Sequence, residues 1–185
     1  MDRRQFIQGA TALGASAALP VAAFGAASAG SVHMCPRYAV ITVGSIGRAI
    51  FDLPVSNLPY RPRTIAINTD AASLGLTHAD GRILLGDGVE PPHSPEDAAH
   101  LAHAAIQYIA DGVTGFDVVF LVAGMGGATG TGISPVVAQI LRGNEVMTLA
   151  CAITPFDWEA ERRRQVAAEG VRALRPQVDA LIRVS

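Results

Sequence analysis

Six apolar runs of strand length recur along this chain, and they are continuous rather than alternating: YAVITV (38–43), TIAIN (64–68), RILL (82–85), DVVFLVA (117–123), VMTLACAI (146–153) and ALIRV (180–184). A strand that is apolar on successive residues needs both faces covered, which a parallel sheet with crossover helices provides. The segments between the runs read as those crossovers. Ser94-Pro95-Glu96-Asp97 supplies an N-cap, a proline at the first helical position and acids in the first turn; Ala98, Leu101, Ala105 and Ile109 then share one face until Asp111-Gly112. A second helix is expected from Ser134-Pro135, burying Val136, Val137, Ile140 and Leu141. A third is expected from near Trp158 to Pro176, carrying Val166, Val171 and Leu174. After the first strand, Pro54, Pro59 and Pro62 leave room only for a short helix from about Gly47 to Leu53. The expected fold is α/β, a doubly wound parallel sheet. At 185 residues, half of them hydrophobic, the chain has material for a single well-cored domain.

A net charge of -2 excludes a protein that coats nucleic acid, which needs a basic surface to release counterions from phosphates. The first thirty residues form a separate unit. Asp2-Arg3-Arg4-Gln5-Phe6-Ile7-Gln8 is similar to the twin-arginine consensus, a mildly apolar Ala/Gly tract without acids follows, and Ala27-Ser28-Ala29 has the small residues of a cleavage site. Residues 1–29 are therefore expected to be a twin-arginine signal peptide, with residues 30–185 exported folded to the periplasm; an unused start or a cytoplasmic extension is the alternative. The glycines and Pro20 make the tract too short and too weakly apolar for a stable membrane span. Of the two cysteines, Cys35 lies near the new terminus and Cys151 reads as a small core residue on a strand. Glu96, His100 and His103 share a helix side and read as a solvated polar face rather than a metal site, and the charged run Glu161-Arg162-Arg163-Arg164 reads as solvated helix surface rather than a docking site.

The chemistry is concentrated in GMGGATGTG, residues 124–132, directly after the DVVFLVA run. In an open parallel sheet, ligands bind beyond the carboxyl ends of the strands, where glycine-rich turns enter helices. Glycines permit positive φ and close backbone approach, and successive N–H groups at the foot of a helix form a nest for anions. Thr129 and Thr131 add hydroxyls. From spacing alone two readings stay open: a phosphate site, or small residues demanded by tight strand-to-helix packing.

GMGGATGTG followed by ISPVVAQI closely resembles the tubulin signature Gly-Gly-Gly-Thr-Gly-Thr-Gly in its FtsZ form. Ile65-Ala66-Ile67-Asn68-Thr69-Asp70 resembles the second nucleotide loop of FtsZ, and Pro155-Phe156-Asp157-Trp158-Glu159 with Arg163 resembles its ribose-contacting segment. The resemblance covers about residues 38 to 184 in order. It implies a Rossmann-like tubulin/FtsZ nucleotide-binding domain taking GTP or GDP with Mg. Gly44 and Gly47 would belong to the first phosphate loop; Gly126, Gly127, Thr129, Gly130, Thr131 and Gly132 would hold the phosphates; Asn68 and Asp70 would face the phosphate and metal end; Glu159 and Arg163 would hold the ribose. Read without the resemblance, Asn68 and Asp70 form an Asx-type turn, and Glu159 and Arg163 an ordinary ion pair four residues apart.

The sequence also departs from the family. Its first loop is Val43-Gly44-Ser45-Ile46-Gly47-Arg48 where FtsZ has a run of glycines, so Ile46 places a branched side chain where backbone is expected to approach phosphate. The third loop reads GDGVEPPHSPEDA in place of a Gly/Ala-rich turn. The sequence stops at Ser185, before the family's guanine-reading Asn and its second domain with the acidic catalytic loop. Two or three lost base contacts at about 1–2 kcal/mol each would weaken binding on the order of 10² to 10⁴. The expectation is weak, poorly guanine-selective binding with impaired or absent hydrolysis and no catalytic residue of the chain's own. Partners would be FtsZ or a second copy in the cytoplasm; after export, the chain would be a non-catalytic binding or structural module. A dinucleotide oxidoreductase rests on fold analogy alone.

Overall fold

Each of the six apolar runs is a strand: β1 (Tyr38–Val43), β2 (Arg63–Asn68), β3 (Gly81–Leu84), β4 (Val118–Gly124), β5 (Met147–Ile153) and β6 (Ala180–Val184). The computed structural model describes residues 36–51 and 61–185. Cys35, the expected signal peptide and positions 52–53 of the helix expected after β1 lie outside the described residues. The strands form one sheet in the order β3-β2-β1-β4-β5-β6, and every pairing is parallel. The chain winds outward from β1 to β3, returns to place β4 beside β1, and winds outward again. That reversal puts a crevice beyond the carboxyl ends of β1 and β4, the place where such sheets bind ligands.

The helices are α1 (Ile46–Phe51), α2 (Ala71–Gly75), α3 (Pro95–Ala104), α4 (Ile106–Val113), α5 (Ala128–Gly143) and α6 (Glu161–Leu174), followed by a 3-10 turn at Arg175–Gln177. Three differ from their sequence expectation. The segment after Ser94 breaks at Ala105, whose φ of -106° and ψ of 21° leave the helical range, so α3 and α4 are separate. Ser94 does cap α3, its hydroxyl accepting the Asp97 N–H at 3.1 Å. The helix expected from Ser134 begins six residues earlier, at Ala128. Ser134 lies inside it and donates its hydroxyl to the Gly130 carbonyl at 2.7 Å, as an interior serine does rather than a cap. The third helix starts at Glu161 rather than Trp158, because residues 154–160 are held in a turn.

The core lies between one sheet face and the helices. Ala39, Ile41, Val43, Val119, Leu121, Ala123, Ala150 and Ala152 are buried against Ile133, Val137 and Leu141 of α5 and Ile109 of α4. On α6 the buried residues are Ala167, Gly170 and Leu174, with Val166 and Val171 half-buried. The opposite sheet face is less covered than continuous hydrophobicity implied. There Phe120 and Ile182 are exposed, and Cys151 is half-buried rather than a core residue.

Candidate functional site

At the carboxyl edge, three turns converge. Gly44 ends β1 with φ +83°, and its N–H donates to the Ile67 carbonyl at 2.9 Å. A Cβ on Gly44 would stand 3.6 Å from the Gly130 nitrogen, so the first loop lies against the start of α5. Gly47 falls in the first turn of α1. From the second loop, the Thr69 hydroxyl meets the Thr129 hydroxyl at 2.9 Å, tying the β2 end to the glycine turn. Thr69, 2% exposed, was not among the residues singled out from sequence, although it stands between two that were. From the third side, the turn after β5 packs on Gly126, where a Cβ would lie 2.8 Å from both Pro155 Cγ and the Arg163 carbonyl oxygen.

The glycines of residues 124–132 divide by what surrounds them. A Cβ on Gly130 would fall 2.1 Å from the Gly124 carbonyl oxygen, and one on Gly132 would fall 2.0 Å from that of Pro95. Both are therefore required by packing, of α5 on β4 and of α3 on α5. Gly126 adopts φ +94°, a conformation that side chains resist. Gly127 is different: it is the N-cap of α5, its φ of -105° suits any residue, and nothing lies within 4 Å of a Cβ built there. No side chain caps this helix. The first-turn N–H groups of a sixteen-residue helix thus open onto free space, the arrangement that favours an anion.

The polar side chains around the turn are largely committed to shaping it. Thr131 is buried, and its hydroxyl accepts the Gly126 N–H at 2.9 Å. The Asn68 side-chain Oδ1 accepts the Thr69 N–H at 2.8 Å and the Asp70 N–H at 3.4 Å, and one Asp70 oxygen caps α2 by accepting the Ala72 N–H at 2.9 Å. Both therefore make the Asx-type turn. Glu159 accepts the Phe156 N–H at 3.0 Å through one oxygen and holds Arg163 at 2.6 Å through the other, so this pair closes the turn entering α6. Ile46 at the head of α1 is half-buried, and a Cβ on Gly124 would meet its Cβ at 3.9 Å. Among the described residues no cluster of three or more His, Cys, Asp or Glu could hold a metal ion, Glu96, His100 and His103 included. No helix among them is long and apolar enough to cross a membrane.

Comparison with known proteins extends this geometry. Residues 47–185 match the Tubulin/FtsZ family, GTPase domain, a stretch that begins just past Ile46. Residues 1–20 match the twin-arginine translocation pathway signal sequence. The chain is 38% identical over 155 residues to cell division protein FtsZ 2 of Rhizobium meliloti (strain 1021), covering 81% of this chain and 44% of that one. Among solved structures it is similar to the empty FtsZ dimer of M. jannaschii, with a TM-score of 0.74 and 32% identity over 80% of this chain and 44% of that one. It is also similar to the GDP-bound monomer of CetZ1 from Haloferax volcanii, with a TM-score of 0.70 and 27% identity over 80% of this chain and 50% of that one. The chain thus spans half or less of the length of these relatives.

Proposed function

The chain belongs to the tubulin/FtsZ family through its GTPase domain, and from that premise we propose that it binds a guanosine or adenosine triphosphate weakly at the turn of residues 124–132. The observation that carries this is the empty space in front of Gly127 at the uncapped start of α5. In this reading the N–H groups following Gly127 hold the phosphates, with Gly44 and Gly47 on one side and Asn68 and Asp70 on another, while Glu159 and Arg163 face the ribose. A bound Mg would supply charge neutralisation at the phosphates, with Asp70 of the second loop as the carboxylate that would face it. Two features support weak binding. Ile46 lies beside Gly124, at the start of the glycine turn. The threonine hydroxyls of the turn are already engaged with Thr69 and the Gly126 N–H.

Hydrolysis is slow or absent in this reading, because Glu159, a carboxylate flanking the turn, is committed through both oxygens to the Phe156 N–H and to Arg163. The twin-arginine match supports export, with cleavage near Ala29 and residues 30–185 acting in the periplasm as a nucleotide-binding or structural module. A chain retained in the cytoplasm would instead have FtsZ or a second copy as its partner.

The test is calorimetric titration of the purified protein with GTP and ATP in Mg²⁺, alongside Gly127→Val and Ile46→Gly variants. Saturable micromolar-to-millimolar binding is expected, with the two nucleotides competing within a few fold. It should be lost in Gly127→Val and tightened in Ile46→Gly. No binding at millimolar nucleotide overturns the reading, and a submicromolar GTP-selective constant overturns its weakness.

A further inference from the structure

The turn that follows β5 displays the rings of Phe156 and Trp158 in an offset stack, their centroids 5.5 Å apart and their planes 9° from parallel. Both are held out in water, with Phe156 52% and Trp158 81% exposed. Large aromatic rings are normally well buried, so two of them paired in solvent are a feature to account for. Nor do they hang from a loose loop. The Glu159 carboxylate accepts the Phe156 N–H, the Glu159 N–H donates to the Phe156 carbonyl at 3.0 Å, and the same carboxylate is anchored to Arg163 on α6. The turn is closed from both directions, and its ring pair is held ready before any ligand arrives.

Its position is equally defined. Pro155, one residue before Phe156, and Arg163, in the first turn of α6, are the two groups that crowd Gly126. The aromatic pair therefore stands beside the glycine turn, on the side where Glu159 and Arg163 would meet a ribose. With centroids 5.5 Å apart the near-parallel rings are offset, and the Trp158 indole stays 81% exposed, with open ring area for a further flat partner.

We propose that the exposed ring of Trp158 is a stacking platform for the purine base of the nucleotide whose phosphates lie at Gly127. This rests on the nucleotide-binding reading above and deepens it by assigning the base contact. Every base has a π-face, so stacking selects flat aromatic area and is blind to the hydrogen-bonding edge that separates guanine from adenine. Purines should bind better than pyrimidines, and GTP and ATP nearly alike.

Trp158 is the sole tryptophan of the chain, so its intrinsic fluorescence reports on this ring alone. The full-length protein is titrated with GTP, ATP, UTP and inorganic tripolyphosphate, following fluorescence and, independently, heat. The expected result is saturable quenching by GTP and ATP with the calorimetric midpoint, weaker quenching by UTP, and binding of tripolyphosphate without quenching. Trp158→Ala should weaken both purine nucleotides roughly tenfold, within the range of a lost base stack, and leave tripolyphosphate affinity unchanged. Trp158→Phe should restore most of the loss. Since the ring is exposed, circular dichroism should show these variants folded. Calorimetric binding of GTP without quenching, and undiminished in Trp158→Ala, overturns the proposal while leaving the nucleotide site standing. Absence of binding by all four compounds overturns both. A spectral change that follows protein concentration without nucleotide assigns the ring pair to contact with a second copy and likewise overturns it.

Discussion

Gly127 and Gly130 stand three residues apart in one turn, yet the structure asks opposite things of them. Gly130 has the β4 carbonyl where a methyl group would go, whereas Gly127 has only open space. Gly130→Ala should therefore force α5 away from β4 and destabilise the fold by about 2–3 kcal/mol, within the range of overpacked sites. Gly127→Val should remain within about 1 kcal/mol of the parent, the ordinary scale of an N-cap change, while abolishing nucleotide binding. Urea denaturation beside nucleotide titration separates the two; equal destabilisation would remove the distinction. Sequence could identify the turn but not sort its glycines, because the atoms that crowd Gly130 and Gly132 come from β4 and α3, neighbours created only by folding. The roles of Asn68 and Asp70 were legible for the same reason in reverse, since an Asx turn is made within three residues.

Among elements, the strands were readable almost to the residue: the central ones write their burial as an unbroken apolar run, and the edge strand β6 keeps the apolar run although most of it is exposed. Helix starts were less so. Ser134-Pro135 has the look of an N-terminus, but the small residues from Ala128 onward can approach β4 closely enough to be helical already, and no local signal records that approach. A recurring device fixes the strand register at the other end of the sheet. Asp80, just before β3, accepts the Thr64 N–H of β2 at 2.9 Å. Asp117, just before β4, accepts the Arg37 N–H ahead of β1 at 2.7 Å, and Asp179, just before β6, accepts the Thr148 N–H of β5 at 2.8 Å. Each carboxylate pins its own strand to the neighbouring one.

Two of these aspartates titrate below their ordinary range. For Asp80 the main cause is the Thr64 N–H, with the Thr64 hydroxyl, Arg61 and Arg63 assisting and burial opposing. For Asp117 it is the Arg37 N–H, with the Arg37 side chain assisting and burial again opposing. A folded-state value below the unfolded one contributes stability that is complete above the unfolded value, near 4, and is lost as pH falls through the folded one. Denaturation midpoints should thus decline below about pH 4, and the decline should be shallower in Asp80→Asn and Asp117→Asn than in the parent. At pH 7, Asp80→Ala should lose on the order of 1–2 kcal/mol, because it leaves the buried Thr64 N–H without its acceptor. An unchanged acid limb in both Asn variants would show that the staples do not contribute.

At the scale of the whole molecule, the export signal and the folded domain make separate demands. The twin-arginine pathway matched by residues 1–20 carries proteins that have already folded, and a single core formed between one sheet face and α3–α6 suits that route. Replacing Arg3 and Arg4 with lysine should retain the chain in the cytoplasm without altering its fold, as read by cell fractionation and by circular dichroism of the purified variant. Equal periplasmic yield from parent and variant would count against export by this route.

The aspartate staples line the amino-terminal edge of the sheet, and the crevice lies at the carboxyl-terminal edge. A change at the open position Gly127 leaves the staples at the other edge untouched, whereas a change at Gly130 or Gly132 reaches the packing of α5 and through it the fold. Ile46, half-buried beside Gly124, stands at the carboxyl-terminal edge and far along the sheet from those staples, so Ile46→Gly tests the ligand edge without touching the strand register.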